Sequence, residues 1–473
     1  MSCLPRITID PRPAAAGLAV AGLCAASACV YLIFKSPALA FLPAGLLLAA
    51  YFATRAGAIS LFLVAAVICI GVDVRVLEGS FISFSLAEVA LLGALTMFGL
   101  NAMKTRQKIQ APAQAPLMVF LVSYMVLSNM FADNVAHYLS ETRNWLMAFT
   151  LLFVLANAAG GREDRVRLAL AFVIACDAFA VMGLLQSFLG LSTFTANPQM
   201  EFKRGFLDAL GGGEAEKVSA AVGLTSHSNG LGRLLAMAIP LSMLLAFSVF
   251  SRGRTIARTV CLMSIPLMAV ALFYTYSKGA MLTCVVTLAL LISAVAWNVR
   301  LRTLLSMLGI LLGTGVAAFI FLVFLEYKGL TGTMSFRLDL WADVFVTLAK
   351  HPTVFMFGNG QELYGVVAQW DQPHNAYLFF LVQHGFPSTV MLLVLFGGIL
   401  TAIDRRSTVG PVADRRMTAG MMAIMLGFLA GELVEAALMS VAMRMLFMFF
   451  AHLGLASPAA ARAEESAHGG GLP

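Results

Sequence analysis

The longest polar interruption in this chain is Glu326–Asn375, EYKGLTGTMSFRLDLWADVFVTLAKHPTVFMFGNGQELYGVVAQWDQPHN. Within it, an apolar stripe recurs at helical spacing and consists of Phe336, Leu340, Val344 and Leu348. The opposite stripe is polar and consists of Asp339, Asp343, Thr347 and Lys350. This pattern predicts an amphipathic helix that lies on a membrane surface or over the mouth of a helix bundle. We expect the segment to cover a functional site as a lid.

The rest of the chain is apolar enough to place the protein in a membrane. Of its 473 residues, 60% are hydrophobic and 12% are charged. Soluble domains have roughly 45–50% apolar and about 25% charged residues, so that class is excluded. Apolar runs of about 20 residues, the length that crosses a bilayer, recur along the whole chain. We predict an all-α polytopic membrane protein of about 12–14 transmembrane helices.

The apolar runs divide the chain into four parts. Residues 1–325 hold roughly the first eleven predicted helices, with a polar loop over 191–228. Residues 326–374 form the predicted lid loop, and residues 375–457 hold the C-terminal transmembrane helices. Residues 458–473 are low in apolar content and are predicted to be disordered.

Basic residues indicate the orientation of the chain. Alternate loops hold most of the Lys and Arg residues, and by the positive-inside rule that side is cytoplasmic. Both termini then lie in the cytoplasm, and the loops 191–228 and 326–374 lie outside, together with a short turn around Asp133–Arg143. Orientation in the membrane accounts for the net charge of +7. No basic patch is interleaved with aromatic residues, so we expect the lipid bilayer, and no nucleic acid, as a partner.

A group of cations lies at the outer ends of predicted spans or in the lid, and comprises Arg143, Arg233, Lys278, Arg337 and Arg444. A single such residue commonly extends its charge to the membrane surface with no further role. Several on one side, with few carboxylates nearby in sequence, predict a pocket for a polyanion such as diphosphate. Arg233 and Arg444 rank as secondary members.

His374 is the candidate general base. It follows Pro373 and precedes Asn375 at the point where the lid meets the next span. Imidazole has an unperturbed pKa of about 6.5, so it accepts a proton from a hydroxyl near neutral pH. His227 is a weaker candidate of the same kind. No two histidines have HxxxH or HExxH spacing, so we expect no metal site.

Few carboxylates accompany these groups. Glu432 and Glu435, three residues apart, share one face of a helix end. A structural ion pair between Glu435 and Arg444 is the expected use of Glu435. No DxD run occurs in an outer loop, which argues against a nucleotide-sugar donor.

Short motifs occur in a fixed order around the lid: Ser277-Lys278-Gly279, Arg337 with Trp341, Gly358-Asn359-Gly360, and His374–Leu378 followed by Gly385. In this order they resemble the O-antigen ligase and polymerase superfamily of bacterial membrane glycosyltransferases. That family has a Ser-Arg-Gly segment, an Arg-x-x-x-Trp element, a Gly-x-Gly turn and a His-Asn-x-Tyr-Leu signature. One departure is Lys278, where the family usually has Arg. Lysine keeps the charge but loses the bidentate fork.

The resemblance implies a glycosyltransferase-C-like fold in the bacterial inner (cytoplasmic) membrane. It implies transfer of a glycan from undecaprenyl diphosphate to a sugar hydroxyl of another glycan or of the lipid A core, without a metal or other cofactor. The diphosphate would be bound by Lys278, Arg337, Arg143 and Arg233. His374 would act as the base, and Asn375 would orient the substrate or the ring. Further candidates for the site are Ser277, Trp341, Glu435 and Arg444.

Several alternatives stay open at this point. A polysaccharide polymerase and a ligase would use the same site chemistry and differ in the acceptor. A transporter or flippase of a lipid-linked oligosaccharide would explain the cations and the spans without catalysis, although the chain shows no inverted halves. A peptidoglycan-type polymerase is a further enzymatic alternative, but no motif here matches it.

Overall fold

A computed structural model of the protein describes residues 59, 62–72, 75–78, 83–105, 109–131, 135–189, 202–204, 217–225, 227–250, 255–297, 299–311, 328–359, 375–408, 411–433, 438 and 440–455.

Helices make up most of these residues. They are α1 Leu86–Thr105, α2 Ala115–Ser128, α3 Val135–Ala158, α4 Arg162–Leu189, α5 Ser228–Leu244, α6 Thr255–Tyr274, α7 Lys278–Ala296, α8 Leu301–Leu311, α9 Lys328–Lys350, α10 Pro352–Phe357, α11 Ala376–Arg406, α12 Val412–Gly431 and α13 Val441–Gly454. Residues 62–69 are also helical. A π-helical turn, Leu245–Val249, extends α5, and a 3₁₀ turn, Asn129–Phe131, follows α2.

Two short antiparallel hairpins connect helices. Strand β1, Arg75–Glu78, pairs with β2, Ser83–Ser85, and β3, Phe202–Arg204, pairs with β4, Lys217–Ser219. Strand β2 leads directly into α1 through a capping box. The Ser85 N–H donates to Glu88 Oε2 at 2.8 Å, and the Glu88 N–H donates to Ser85 Oγ at 3.3 Å. This reciprocal pair satisfies two donors at the start of the helix.

Six helices of the described residues are long and apolar enough to cross a membrane: Leu86–Lys104, Arg162–Leu189, Ser228–Val249, Thr255–Tyr274, Lys278–Ala296 and Ala376–Arg406. Helices α2, α8 and α13 are apolar but shorter. The protein is therefore an all-α polytopic membrane protein, as predicted. The expected 12–14 spans include segments before residue 59 and after residue 311 that lie outside the described residues.

The helices differ in how far the bundle encloses them. In α5 with its π-helical extension, 83% of the most apolar 18-residue stretch is buried inside the protein, against 28% of the corresponding stretch in α6. Helix α5 therefore runs through the centre of the bundle, and α6 lies at its periphery with most of its surface open to lipid. Helices α7 and α12 pack along each other and against α5.

The structure confirms the amphipathic helix. In α9, Leu340, Val344 and Leu348 are buried, whereas Asp339 and Asp343 are exposed. The apolar stripe does not lie on lipid alone, because Val344 and Leu348 pack in a cluster with apolar side chains of α10 and α11. The α9–α10 segment, which we call the lid, is thus seated on the first part of α11.

Two glycines from separate motifs form the contact between the lid and α11. Gly358, just after α10, has φ +77°, and Gly385, at a break inside α11, has φ +80°. A methyl group on Gly358 would collide with the Gln383 carbonyl, and one on Gly385 would collide with the Met356 carbonyl. Only glycine combines a positive φ with such a close backbone approach. The lid is fixed to α11 at this break.

Candidate functional site

Several helices begin at one end of the bundle. A methyl group on Gly232 of α5 would lie 3.1 Å from Ser277 Cβ, just before α7, so these two helix starts are in contact. The Ala376 N–H at the start of α11 donates to the Glu432 carbonyl, at the end of α12, at 2.9 Å. We call this end the site end. Helices α6 and α12 end here, and α5, α7 and α11 begin here. Helix N-termini carry partial positive charge, so the starts of α5, α7 and α11 favour an anion close to them.

Three of the residues singled out in the sequence are helix caps. Ser277 Oγ accepts the Ala280 N–H at 3.4 Å and caps α7. Asn375 Oδ1 accepts the N–H groups of the second and third residues of α11, at 3.0 and 3.1 Å. His227 Nδ1 accepts the Gly230 N–H at 3.2 Å and caps α5. Each residue type therefore has a structural use at its position.

The Asn-x-Tyr part of the signature also attaches α11 to α12. The Asn375 amide donates to the Leu433 carbonyl at 3.1 Å, and the Tyr377 hydroxyl donates to the Leu429 carbonyl at 2.8 Å. Leu429 lies in the last turn of α12, and Leu433 lies two residues after that helix. These bonds fix Asn375 and the start of α11 against the end of α12. His374 itself lies outside the described residues.

A buried ion pair connects α5 to the end of α12. Arg233 is 1% exposed and Glu432 is fully buried. Arg233 Nη1 lies 3.4 Å from Glu432 Oε1, and Arg233 Nη2 donates to the Gly431 carbonyl at 3.1 Å. The backbone carbonyl of Glu432 also accepts from the start of α11. Glu432 therefore joins α5, α11 and α12, and Arg233, a predicted diphosphate ligand, has a carboxylate partner.

The same network continues to α13 and α3. Glu432 Oε2 accepts the Leu438 N–H at 2.8 Å, and Arg444 Nε donates to the Leu438 carbonyl at 2.6 Å. The Arg444 guanidinium forms an ion pair with Glu141 and lies 4.9 Å from the centre of the Trp145 ring. Arg444 is thus fully buried between a carboxylate and an aromatic face, and its role is structural.

The structure gives Arg444 a partner that the sequence did not predict. The sequence favoured Glu435, three residues from Glu432, and the structure shows an ion pair between Arg444 and Glu141 of α3. Glu435 lies outside the described residues. Helix α3 begins at Val135, where a short turn was expected, and this additional helical segment carries Glu141.

Arg143 forms the last part of the network. Its Nη2 lies 3.6 Å from Glu88 Oε1 and donates to Asn144 Oδ1 at 3.1 Å. Asn144 in turn donates to Glu141 at 3.2 Å. The Arg143 side chain is 21% exposed, and that of its partner Glu88 is 2% exposed. Arg143 is therefore the most accessible of the three arginines, although a carboxylate faces it too.

Lys278 differs from these arginines. It is the first residue of α7, directly after the cap Ser277, and it is exposed. Within the described ranges no carboxylate forms an ion pair with it. Its charge therefore adds to the partial positive charge of the helix N-termini at the site end.

The remaining predicted site residues belong to the lid. Arg337 lies on α9, and Trp341, one helical turn later, is half-buried there. Sequence reasoning missed Glu88 and Glu141, and it did not pair Glu432 with Arg233. Glu88 had one local signal, the Ser85-x-x-Glu88 capping box. Glu141 and Glu432 pair with residues far away in the chain, and nothing in the sequence marks those pairs.

Comparison with known proteins tests the resemblance to a family. A family model described as O-Antigen ligase matches residues 263–393, the segment that contains Lys278, Arg337, His374 and Asn375. No curated protein matches the chain. A solved structure titled "Structural coordination of polymerization and crosslinking by a peptidoglycan synthase complex" is 18% identical, with a TM-score of 0.37, and the match covers 72% of this chain and 95% of that chain. That similarity is too low to support a functional argument. The family match confirms the resemblance of this chain to the O-antigen ligase and polymerase superfamily over residues 263–393.

Proposed function

We propose that the protein is a glycosyltransferase that moves a glycan from undecaprenyl diphosphate to a sugar hydroxyl on the outer side of the bacterial inner membrane. One observation carries the proposal. Within the matched segment, the exposed Lys278 and the anchored start of α11 with Asn375 both lie at the site end, joined through α5 and α12. A cationic group and the start of α11, the helix that follows the candidate base in the sequence, thus belong to one region.

The reaction assigned to this site is a direct displacement. The acceptor hydroxyl oxygen attacks the anomeric carbon, and the bond from that carbon to the diphosphate oxygen breaks. The electron pair leaves with the diphosphate, which remains attached to its polyprenyl chain. The hydroxyl proton passes to His374. A single displacement inverts the anomeric centre, and no step requires a metal or another cofactor.

The cations then have separate roles. Lys278 and Arg337 are the proposed direct ligands of the diphosphate, where they stabilise the charge that develops on the leaving group. Arg233 is assigned to positioning, because Glu432 holds it and also accepts from the start of α11. Arg143 is assigned to holding α1 against α3 through Glu88.

The acceptor decides between two forms of this activity. A second lipid-linked glycan as acceptor makes the protein a polymerase, and a lipid A core makes it a ligase. The same assignment of donor, base and leaving group serves both. Incubation of the purified protein with lipid-linked donor and each acceptor in turn, followed by analysis of the products, separates the two.

The decisive experiment is His374→Ala in that assay. We expect turnover to fall by roughly 10²–10⁴-fold, the usual contribution of a general base, with donor binding unchanged. His351→Ala, which alters an exposed histidine that makes no side-chain capping hydrogen bond, is the control and should keep turnover. Turnover retained by His374→Ala would remove this residue as the base.

The same assay tests the transport alternative. In detergent there is no membrane to cross, so a flippase binds the lipid-linked oligosaccharide and forms no product. Formation of a new glycosidic bond by the wild type, and its loss in His374→Ala, supports the enzyme. Donor binding without any product, with either acceptor, contradicts it.

A further inference from the structure

The turn between α6 and α7 holds a tyrosine in an unfavourable backbone conformation. Tyr276 has φ +52°, and it is the one residue other than glycine with positive φ in the part of the chain that the structure describes. Hydrogen bonds of its neighbour fix the turn: Thr275 Oγ1 donates to the Leu272 carbonyl at 2.6 Å and accepts the Ser277 N–H at 3.3 Å. A bulky residue in the left-handed region is rare, and such positions cluster at functional sites.

Tyr276 belongs to an aromatic cluster of four rings. Its ring centre lies 6.3 Å from that of Tyr274 and 6.3 Å from that of Phe273. Phe188, at the end of α4, lies 4.9 Å from Tyr274. The rings meet edge-on or tilted, so they do not cover one another's faces. Phe188 and Phe273 are 62% and 50% exposed. The cluster therefore offers accessible aromatic faces to another molecule.

The position of this cluster suggests what that molecule is. Tyr276 precedes the exposed Lys278 by two residues, so their Cα atoms lie at most about 7 Å apart. A ligand that reaches both needs an anionic group joined directly to a part with an apolar face. Burial raises the pKa of Tyr276, and the neighbouring Tyr274 raises it further, so its phenol stays a neutral hydrogen-bond donor at physiological pH. A sugar ring attached to phosphate has all of these features.

We propose that the Phe188, Phe273, Tyr274 and Tyr276 cluster is a subsite for the sugar ring directly attached to the diphosphate of the donor. The C–H face of a pyranose packs on an aromatic ring, and its hydroxyls bond to the phenol. This inference rests on the proposed function, because the diphosphate is placed at Lys278. The competing use of such residues is anchoring at the membrane–water interface, where aromatic side chains are enriched.

Two probes separate the sugar contact from the diphosphate contact. Undecaprenyl diphosphate and undecaprenyl diphosphate N-acetylglucosamine share the lipid and the diphosphate and differ by one sugar. Their dissociation constants are measured on the full-length protein in detergent. We expect the wild type to bind the sugar-bearing probe roughly three- to tenfold more tightly, the range of one aromatic face contact.

The informative variant is Tyr276→Gly. Glycine accepts the positive φ without strain, which offsets part of the loss of the two ring contacts, so the variant should fold, and its thermal unfolding checks this. The preference for the sugar-bearing probe should fall to about one, with the affinity for the sugar-free probe unchanged. Tyr276→Phe keeps the ring and should keep most of the preference.

Trp297→Leu is the control for anchoring, because Trp297 is an aromatic residue 68% exposed at the opposite end of α7. It should leave both constants unchanged.

The outcomes that overturn this inference differ from those that overturn the proposed function. Equal affinity of the wild type for the two probes would contradict the sugar subsite but not the diphosphate site. An equal loss of affinity for both probes in Tyr276→Gly would do the same. Failure of the wild type to bind either probe removes the donor itself, and the subsite with it.

Discussion

The site end contains two kinds of cation that look alike in the sequence. Arg233 and Arg444 are 1% and 0% exposed and pair with Glu432 and Glu141. Lys278 is exposed and forms no ion pair with any described residue. A charge that leaves water needs a partner inside the protein, and that partner neutralises it. The comparison teaches that the buried arginines hold the bundle together, whereas the exposed lysine is the cation available to a ligand.

Arg444→Leu should have the largest effect on stability. It leaves the Glu141 carboxylate and the Leu438 carbonyl without their partner and removes the contact with Trp145. Breaking one side of a buried ion pair costs about 3–5 kcal/mol of unfolding free energy. Chemical unfolding in detergent, followed by circular dichroism, measures it. The double variant with Glu141→Gln should recover part of the loss; a single variant as stable as the wild type would show that this arginine is not structural.

Glu432→Gln should have a smaller but still substantial effect. It leaves the buried Arg233 without its counter-charge, while the amide oxygen still accepts the Leu438 N–H. We expect a loss of about 3 kcal/mol, the lower end of the range for a broken buried pair. Glycan transfer should fall as well, because Glu432 lies between Arg233 and the start of α11. Glu163→Gln, on the exposed surface of α4, is the control. If Glu432→Gln has the same unfolding free energy as the control, the ion pair between Arg233 and Glu432 does not stabilise the bundle.

Gly385→Ala tests the contact between the lid and α11. The methyl group would collide with the Met356 carbonyl, and alanine disfavours the φ of +80°. A strained backbone position of this kind costs about 1–3 kcal/mol. Gly397→Ala is the matched control, since no neighbouring atom lies within 4 Å of the added methyl group on the same helix. There alanine should stabilise the helix by up to about 1 kcal/mol. Equal effects at the two positions would mean that the lid is not fixed at Gly385.

Periodicity explains which parts of the fold were predictable. The stripe of Leu340, Val344 and Leu348 is a local pattern, and it gave both the lid helix and its buried face. Long apolar runs gave the spans for the same reason. The predicted start of α3 was wrong. The segment Asp133–Arg143 is polar and was read as a turn, but the chain is helical from Val135. Its helical conformation depends on tertiary contacts such as that of Glu141.

The glutamate partners of the arginines could not be predicted from local sequence patterns. Arg444 and Glu141 are 303 residues apart in sequence, and Arg233 and Glu432 are 199 apart. Lys278, Arg233 and Arg444 lie in the first two turns of their helices, whereas Arg143 lies in the third turn of α3. The pairing of the arginines depends on which helices are neighbours in space. The resemblance drew attention to Lys278 and Asn375, and the structure places both at the site end. The assignment of His374 and Arg337 to the chemistry stays a prediction.

Lys278→Ala should have the smallest effect on stability and thereby complete the comparison. An exposed side chain without a described ion pair contributes little, so the unfolding free energy should change by less than about 0.5 kcal/mol. Glycan transfer should nevertheless fall by roughly 10²-fold or more, because the leaving diphosphate loses a charge partner. Lys278→Arg keeps the charge and should keep most of the activity. Lys104→Ala, an exposed lysine at the end of α1, is the control and should change neither quantity. If Lys278→Arg is as inactive as Lys278→Ala, a positive charge at this position is not sufficient for activity. Exposure of a cation would then not identify it as a ligand-binding residue.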